Sequence, residues 1–208
     1  MNDEKIHTIY TSLPEKVNQY LFQLYKKLSK KFPNEYLDEN NFKAHIAVGG
    51  KLLPGSKTKE FVKEISKLAQ NTDPFEVTLT KYTKSSNNKY IFLEMDEKAQ
   101  KTFKDLNEKF LEKANKIHKV KIPRKYLDNW KQYPKEEQHR IKTNGNPYEY
   151  HAHISIVKID PKNIREALEI AKEHNEILKN TFMVKEFVIS GQSNDPQNQF
   201  PILARVSL

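Results

Sequence analysis

The chain has no cysteine. That excludes disulfides, thiolate nucleophiles and thiolate metal sites, and leaves any chemistry to His, Ser, Thr, Tyr, Lys and carboxylates. No apolar run approaches the roughly 18 residues of a membrane span, and the N-terminus is rich in Asp, Glu and Lys where a signal peptide would need an apolar core. The expectation is a cytoplasmic chain with no membrane partner. Glycine is sparse, five residues in 208. No Gly-rich phosphate loop, nucleophile elbow or His-Glu-x-x-His stretch occurs. Negative charge is also short, with 27 Asp and Glu against 36 Lys and Arg, a net charge of +9. Such an excess favours polyanionic partners, nucleic acid or nucleotide first. Lysine supplies nearly all of it, and a Lys-rich surface also serves solubility alone.

What the chain does have is a short pattern used twice. In Tyr150 to Lys158 a strand would place His151, His153 and Ser155 on one face and Ala152, Ile154 and Ile156 on the other. The same arrangement occurs at Lys43 to Val48, with His45 opposite Ala44, Ile46 and Val48. The two His-hydrophobic-small-hydrophobic tetrads lie 108 residues apart.

Between them the pattern alternates strands and helices. Residues 6–13 read as a strand, 15–31 as an amphipathic helix, and 42–48 as the first tetrad strand, ending at Gly49-Gly50. A second helix, capped by Ser56 or Thr58, precedes a hairpin of strands 75–82 and 90–95 around Ser85-Ser86-Asn87-Asn88. Ala99, Phe103, Leu106, Phe110, Ala114 and Ile117 mark a long third helix. After the second tetrad, Asp160-Pro161 opens a helix through Ala171, and two strands, 182–189 and 200–208, close the chain around a polar loop. The second half repeats the first. With 208 residues the expectation is one domain, 1–208, of two lobes, about 1–96 and 97–208, intertwined by terminal strands. Each would bring one tetrad to a shared cleft.

One segment departs from the repeat. Residues 119–142 hold eight Lys/Arg against three Asp/Glu, more than half of the net charge, with Tyr126, Trp130 and Tyr133 interleaved. It reads either as a groove for single-stranded nucleic acid or as an amphipathic insertion, about 119–147, whose Trp130 packs on the body and whose lysines are solvated.

Two histidines in a cleft can divide labour near neutral pH, one accepting a proton while the other donates one. In-line displacement at phosphorus needs that pair. Ser155 is placed to donate to a phosphate oxygen, and Lys158 falls on the other parity unless the strand is irregular. A lone strand histidine is usually structural, and His7, His118, His139 and His174 read that way. His151 falls at the pocket edge. A metal shared by His151 and His153 lacks a third ligand in the sequence.

The paired tetrads resemble those of the two-histidine (2H) phosphoesterase superfamily, which includes bacterial RNA 2′,3′-cyclic phosphodiesterases, also called 2′-5′ RNA ligases. The resemblance covers nearly the whole chain in architecture and two short tetrads in diagnostic residues. It implies an α+β, bilobed, pseudo-two-fold fold, with two antiparallel-rich sheets flanking a central cleft and helices outside. It further implies a monomeric enzyme with no metal and no cofactor, acting on RNA ends or small cyclic or 2′-5′-linked nucleotides. His45 and His153 match the family histidines and Ser155 the second-motif hydroxyl. Lys158 stands where many members carry a basic residue, and Tyr150 in the usual aromatic approach.

One departure is Ala47, where the pattern has Ser or Thr. Lys43, Lys51 or backbone groups near Gly49-Gly50 are the candidate substitutes, and any defect in turnover is expected on the His45 side. Three functions follow: an RNA-directed 2H phosphodiesterase, a nucleotide-binding module with weak turnover because of Ala47, or a degrader of cyclic oligonucleotide signals.

Overall fold

The structure, a computed structural model, describes residues 4–33, 44–193 and 200–208. Its elements in chain order are β1 (Glu4–Ser12), α1 (Glu15–Lys31), β2 (His45–Pro54), α2 (Thr58–Gln70), β3 (Phe75–Lys84), β4 (Tyr90–Met95) and α3 (Glu97–Ile117). There follow α4 (Arg124–Leu127), α5 (Lys135–Asn144), β5 (Ile154–Lys158), α6 (Ile164–Glu173), β6 (Thr181–Val184), β7 (Glu186–Gly191) and β8 (Ile202–Ser207).

The strands form one eight-stranded sheet in the order β6-β3-β4-β5-β2-β1-β7-β8, with antiparallel neighbours throughout. It consists of two four-stranded halves, and their junction is narrow: β2 and β5 share a single registered pair, Ile46 with Ile154. Both side chains are fully buried, each worth about 1.5–3 kcal/mol relative to exposure. The expected pair of antiparallel sheets is therefore present as two halves joined edge to edge at the centres of the two tetrads.

The apolar parities face a layer of helices. Ile9, Ile46, Val48, Leu93, Ile154 and Phe187 meet Leu21, Leu24, Phe61, Ile65, Phe103 and Phe110 in one continuous core. The α3 stripe read from the sequence is buried along its whole length, from Ala99 to Ile117. Asp96 caps that helix, accepting from the Ala99 amide and lending its other oxygen to the Thr78 amide.

Several boundaries differ from the sequence reading. Strand β2 does not stop at Gly49-Gly50 but continues to Pro54, with Gly49 and Gly50 registered against Ile9 and Thr8. A bulge puts Val48 and Gly49 on the same side, because Ile9 pairs Gly49 while Tyr10 pairs Ala47. Gly49 is there for space, since a Cβ on it would overlap the Phe110 ring. Helix α2 is entered through a short 3₁₀ turn with no side-chain cap, and Thr58 instead bonds the buried His7 at 2.8 Å.

The segment read as one strand, 182–189, is two. Strand β6 pairs with β3 at one edge, and across Lys185 the chain passes to β7, which pairs with β1 in the other half. The repeat also begins one strand earlier than expected. Strand β4 stands to β5 as β1 stands to β2, so the β3-β4 hairpin straddles the boundary between the two repeats.

Candidate functional site

Each tetrad puts its polar residues on the face of the sheet away from the helices. On β2 the alternation holds, with Ile46 and Val48 buried and His45 and Ala47 exposed. In the second tetrad Ala152, Ile154 and Ile156 are buried while His151, His153 and Ser155 reach the open side, although regular β5 starts only at Ile154.

Continuing the antiparallel register one residue either side of the Ile46–Ile154 pair sets His45 across from Ser155 and Ala47 across from His153. The histidines are therefore diagonal neighbours. Each faces the third position of the other tetrad.

The β4–β5 register resolves the parity of Lys158. Phe92 pairs Ser155, but Ile91 pairs Val157 and Tyr90 pairs Lys158, so one residue is bulged and Val157 joins Ile156 on the buried side. Lys158 is thereby returned to the face of His153 and Ser155, as Tyr90 shares the face of Phe92.

His153 is held from two directions. Its Nδ1 donates to the His151 carbonyl at 2.8 Å, and a carbonyl only accepts, so the neutral ring carries its lone pair on Nε2. Its ring lies against Phe92, centroids 3.9 Å apart. Burial holds its pKa below the ordinary imidazole value, the bond to the His151 carbonyl opposing this. Charge on His151 and His45 pushes the same way as burial, and Glu94 pulls back. His45 has the matching aromatic neighbour, Tyr10, at 5.0 Å between centroids.

Tyr150 closes the seam between the halves. Its hydroxyl donates to the Ala47 carbonyl at 2.7 Å, and burial pushes its pKa well above the ordinary phenol value. It thus contacts backbone at the site rather than presenting an open ring. Lys51 does not substitute for the missing hydroxyl. It is buried on the helix side, donates to Asn115 Oδ1 at 2.5 Å, and burial brings its pKa down to about 8. Lys43 lies outside the described residues.

Sequence reasoning missed three neighbours, Tyr10, Phe92 and Glu94. The Glu94 carboxylate follows the register to a place across from His153; it accepts from Thr83 at 2.8 Å and lies 3.6 Å from His151 Nε2 and 3.5 Å from Lys81. It is the single acidic residue on the outward parity of β4. Nothing in the sequence says that β4 adjoins the second tetrad, so only the pairing brings it in. Among the described residues no group of three or more His, Asp and Glu side chains is arranged to hold a metal ion.

The basic insertion packs on α3 and on the approach to the second tetrad. Asn115 donates to the Thr143 carbonyl, Arg140 to the Pro147 carbonyl, and Lys104 pairs with Glu149. Its aromatics are engaged by its own cations, Lys125 lying 4.8 Å from the Tyr126 centroid and Lys142 5.3 Å from that of Trp130. Tyr126 is buried, edge-on to Tyr133.

No family model matches this chain, and no curated protein does. Solved structures do. TT0787 of Thermus thermophilus superposes with a TM-score of 0.65 at 14% identity, over 98% of this chain and 97% of that one. Escherichia coli LigT complexed with phosphate superposes at 0.59 and 12% identity, over 99% and 98%, and LigT complexed with 3′-AMP does so equally. Over 98–99% of its length the chain superposes on LigT and TT0787 and shares their fold, the fold that the resemblance of its two tetrads implies.

Proposed function

We propose that the chain is a 2H phosphodiesterase acting on 2′,3′-cyclic phosphate or 2′-5′/3′-5′ phosphodiester bonds of RNA ends or oligonucleotides, with His45 and His153 as its acid–base pair. The observation that carries this is the meeting of the two tetrads at Ile46 and Ile154, with both histidines on one open face. Phosphate and 3′-AMP bound to LigT, a protein of the same fold, support a phosphate-bearing nucleotide as the ligand.

In this reading the neutral His153, with its Nε2 lone pair available, takes the proton of the attacking water or hydroxyl. The new P–O bond forms as the opposite P–O bond breaks, and His45 delivers its proton to the departing oxygen. Ser155, Lys158 and the edge imidazole of His151 hold the non-bridging oxygens. In reverse the two histidines exchange roles.

The test is a panel of RNA 2′,3′-cyclic phosphates, 2′-5′ oligonucleotides and cyclic dinucleotides with purified protein. Product should form with or without chelator, and His45→Ala or His153→Ala should each abolish it. Full activity in both variants would sink the reading. Ala47 across from His153 supports a second reading, a nucleotide-binding module with little turnover. Loss of one oxyanion donor costs on the order of 10²–10³ in rate. Salt-dependent binding of a substrate that survives prolonged incubation would favour it.

A further inference from the structure

On a face proposed to bind phosphate a carboxylate opposes the substrate's own charge, so Glu94 calls for a reason. Its side chain is mostly buried at the site end of β4. It accepts from Thr83 on β3, is approached by Lys81 on the same strand, and faces the imidazole of His151 at ion-pair distance. His151 supplies the backbone carbonyl that fixes the tautomer of His153. The contacts therefore run in one chain: Thr83 and Lys81 hold Glu94, Glu94 holds His151, and the carbonyl of His151 holds His153.

We propose that Glu94 is a positioning residue of the two-histidine site, steadying His151 and, through its carbonyl, the ring of His153. The inference rests on the function proposed above and deepens it. The pseudo-two-fold relation sharpens the point. Ser12 registers with His45, at the position that corresponds to Glu94, which continuation of the β4–β5 register sets across from His153.

Other groups share the open face around His153. They are His151 and Tyr150 on its own segment, Lys158 on β5, His45 on β2, Tyr10 on β1, Tyr90 on β4 and Lys81 on β3. Glu149, paired with Lys104, is a second anion near His151, and Glu94 is the carboxylate that also acts on the charge of His153. The Glu94 carboxylate favours the imidazolium of His153, so it eases the return of the proton that His153 has taken.

The experiment compares Glu94→Gln and Glu94→Asp with the wild type. Gln keeps the acceptor for Thr83 and removes the charge. Imidazole NMR of the free protein should show the His153 midpoint moving to lower pH in Glu94→Gln, with the Nδ1–H signal weakened, and both recovering in Glu94→Asp. On the substrate found active, kcat should fall about tenfold in Glu94→Gln with KM little changed, and the acidic limb of the rate profile should move with the NMR midpoint.

An unmoved midpoint and tautomer in a folded Glu94→Gln protein would overturn the proposal. So would a rise in KM with kcat intact, which would place Glu94 against substrate. The NMR arm needs no turnover, so it decides the role of Glu94 even if no phosphodiester on the panel is cleaved.

Discussion

Ala47 lacks the hydroxyl that Ser155 supplies in the other tetrad, and what matters is which histidine it serves. It adjoins His45 in sequence but lies across from His153 in the sheet, so the position without a hydroxyl is beside the half-buried His153 and not, as sequence proximity suggests, on the His45 side. Restoring it should help. Ala47→Ser is expected to raise single-turnover kcat by about tenfold, below the roughly 10²–10³ that a fully aligned oxyanion donor supplies, with little effect on the His45→Ala background. Rapid-quench measurement checks both. At this scale the sequence was a good guide wherever alternation alone decided the matter, as for His45, His153 and Ser155. It left Lys158 open, because the bulge at Ile156–Val157 reverses the parity and no residue there announces one.

The bulge in β2 shows what elements add. Val48 and Gly49 share the helix side, the Val48 carbonyl accepts from the buried Asn107 at 2.7 Å, and Phe110 occupies the space over Gly49. Gly49→Ala should force that ring away and cost about 1–3 kcal/mol as overpacking. Urea titration of the variant checks it, and Phe110→Leu in the same chain should recover part of the loss. Helices α1, α3 and α6 and the β3-β4 hairpin were legible because period and turn chemistry are local. The split of 182–189 into β6 and β7 was not, since both pieces are apolar and only their distant partners, β3 and β1, tell them apart.

Across the whole molecule the buried imidazoles set an acid limit. His7 is buried between the Lys5 carbonyl and Thr58, and burial lowers its pKa, as it does for His153. Below the ordinary imidazole value near 6.5 the unfolded chain takes up protons that the native chain refuses, so stability falls as pH drops through that value and levels off below the folded pKa values. Thermal melts from pH 8 to 5 should show this slope. His7→Gln should flatten it. The repeat and the tetrads disclosed this architecture because they recur. The insertion's role stayed open because interleaved lysines and aromatics have the same composition whether the rings face ligand or, as with Trp130 and Lys142, each other's neighbours.

The lone Ile46–Ile154 pair has a further consequence. It marks the axis of an isologous contact, like that of a symmetric dimer, but contained within one polypeptide. On such an axis a residue meets its own counterpart, as Ile46 meets Ile154. Every position off the axis meets a different one, so the two halves are free to diverge there. A substitution in one repeat is then felt by the histidine of the other, which lets a duplicated strand become an asymmetric pair.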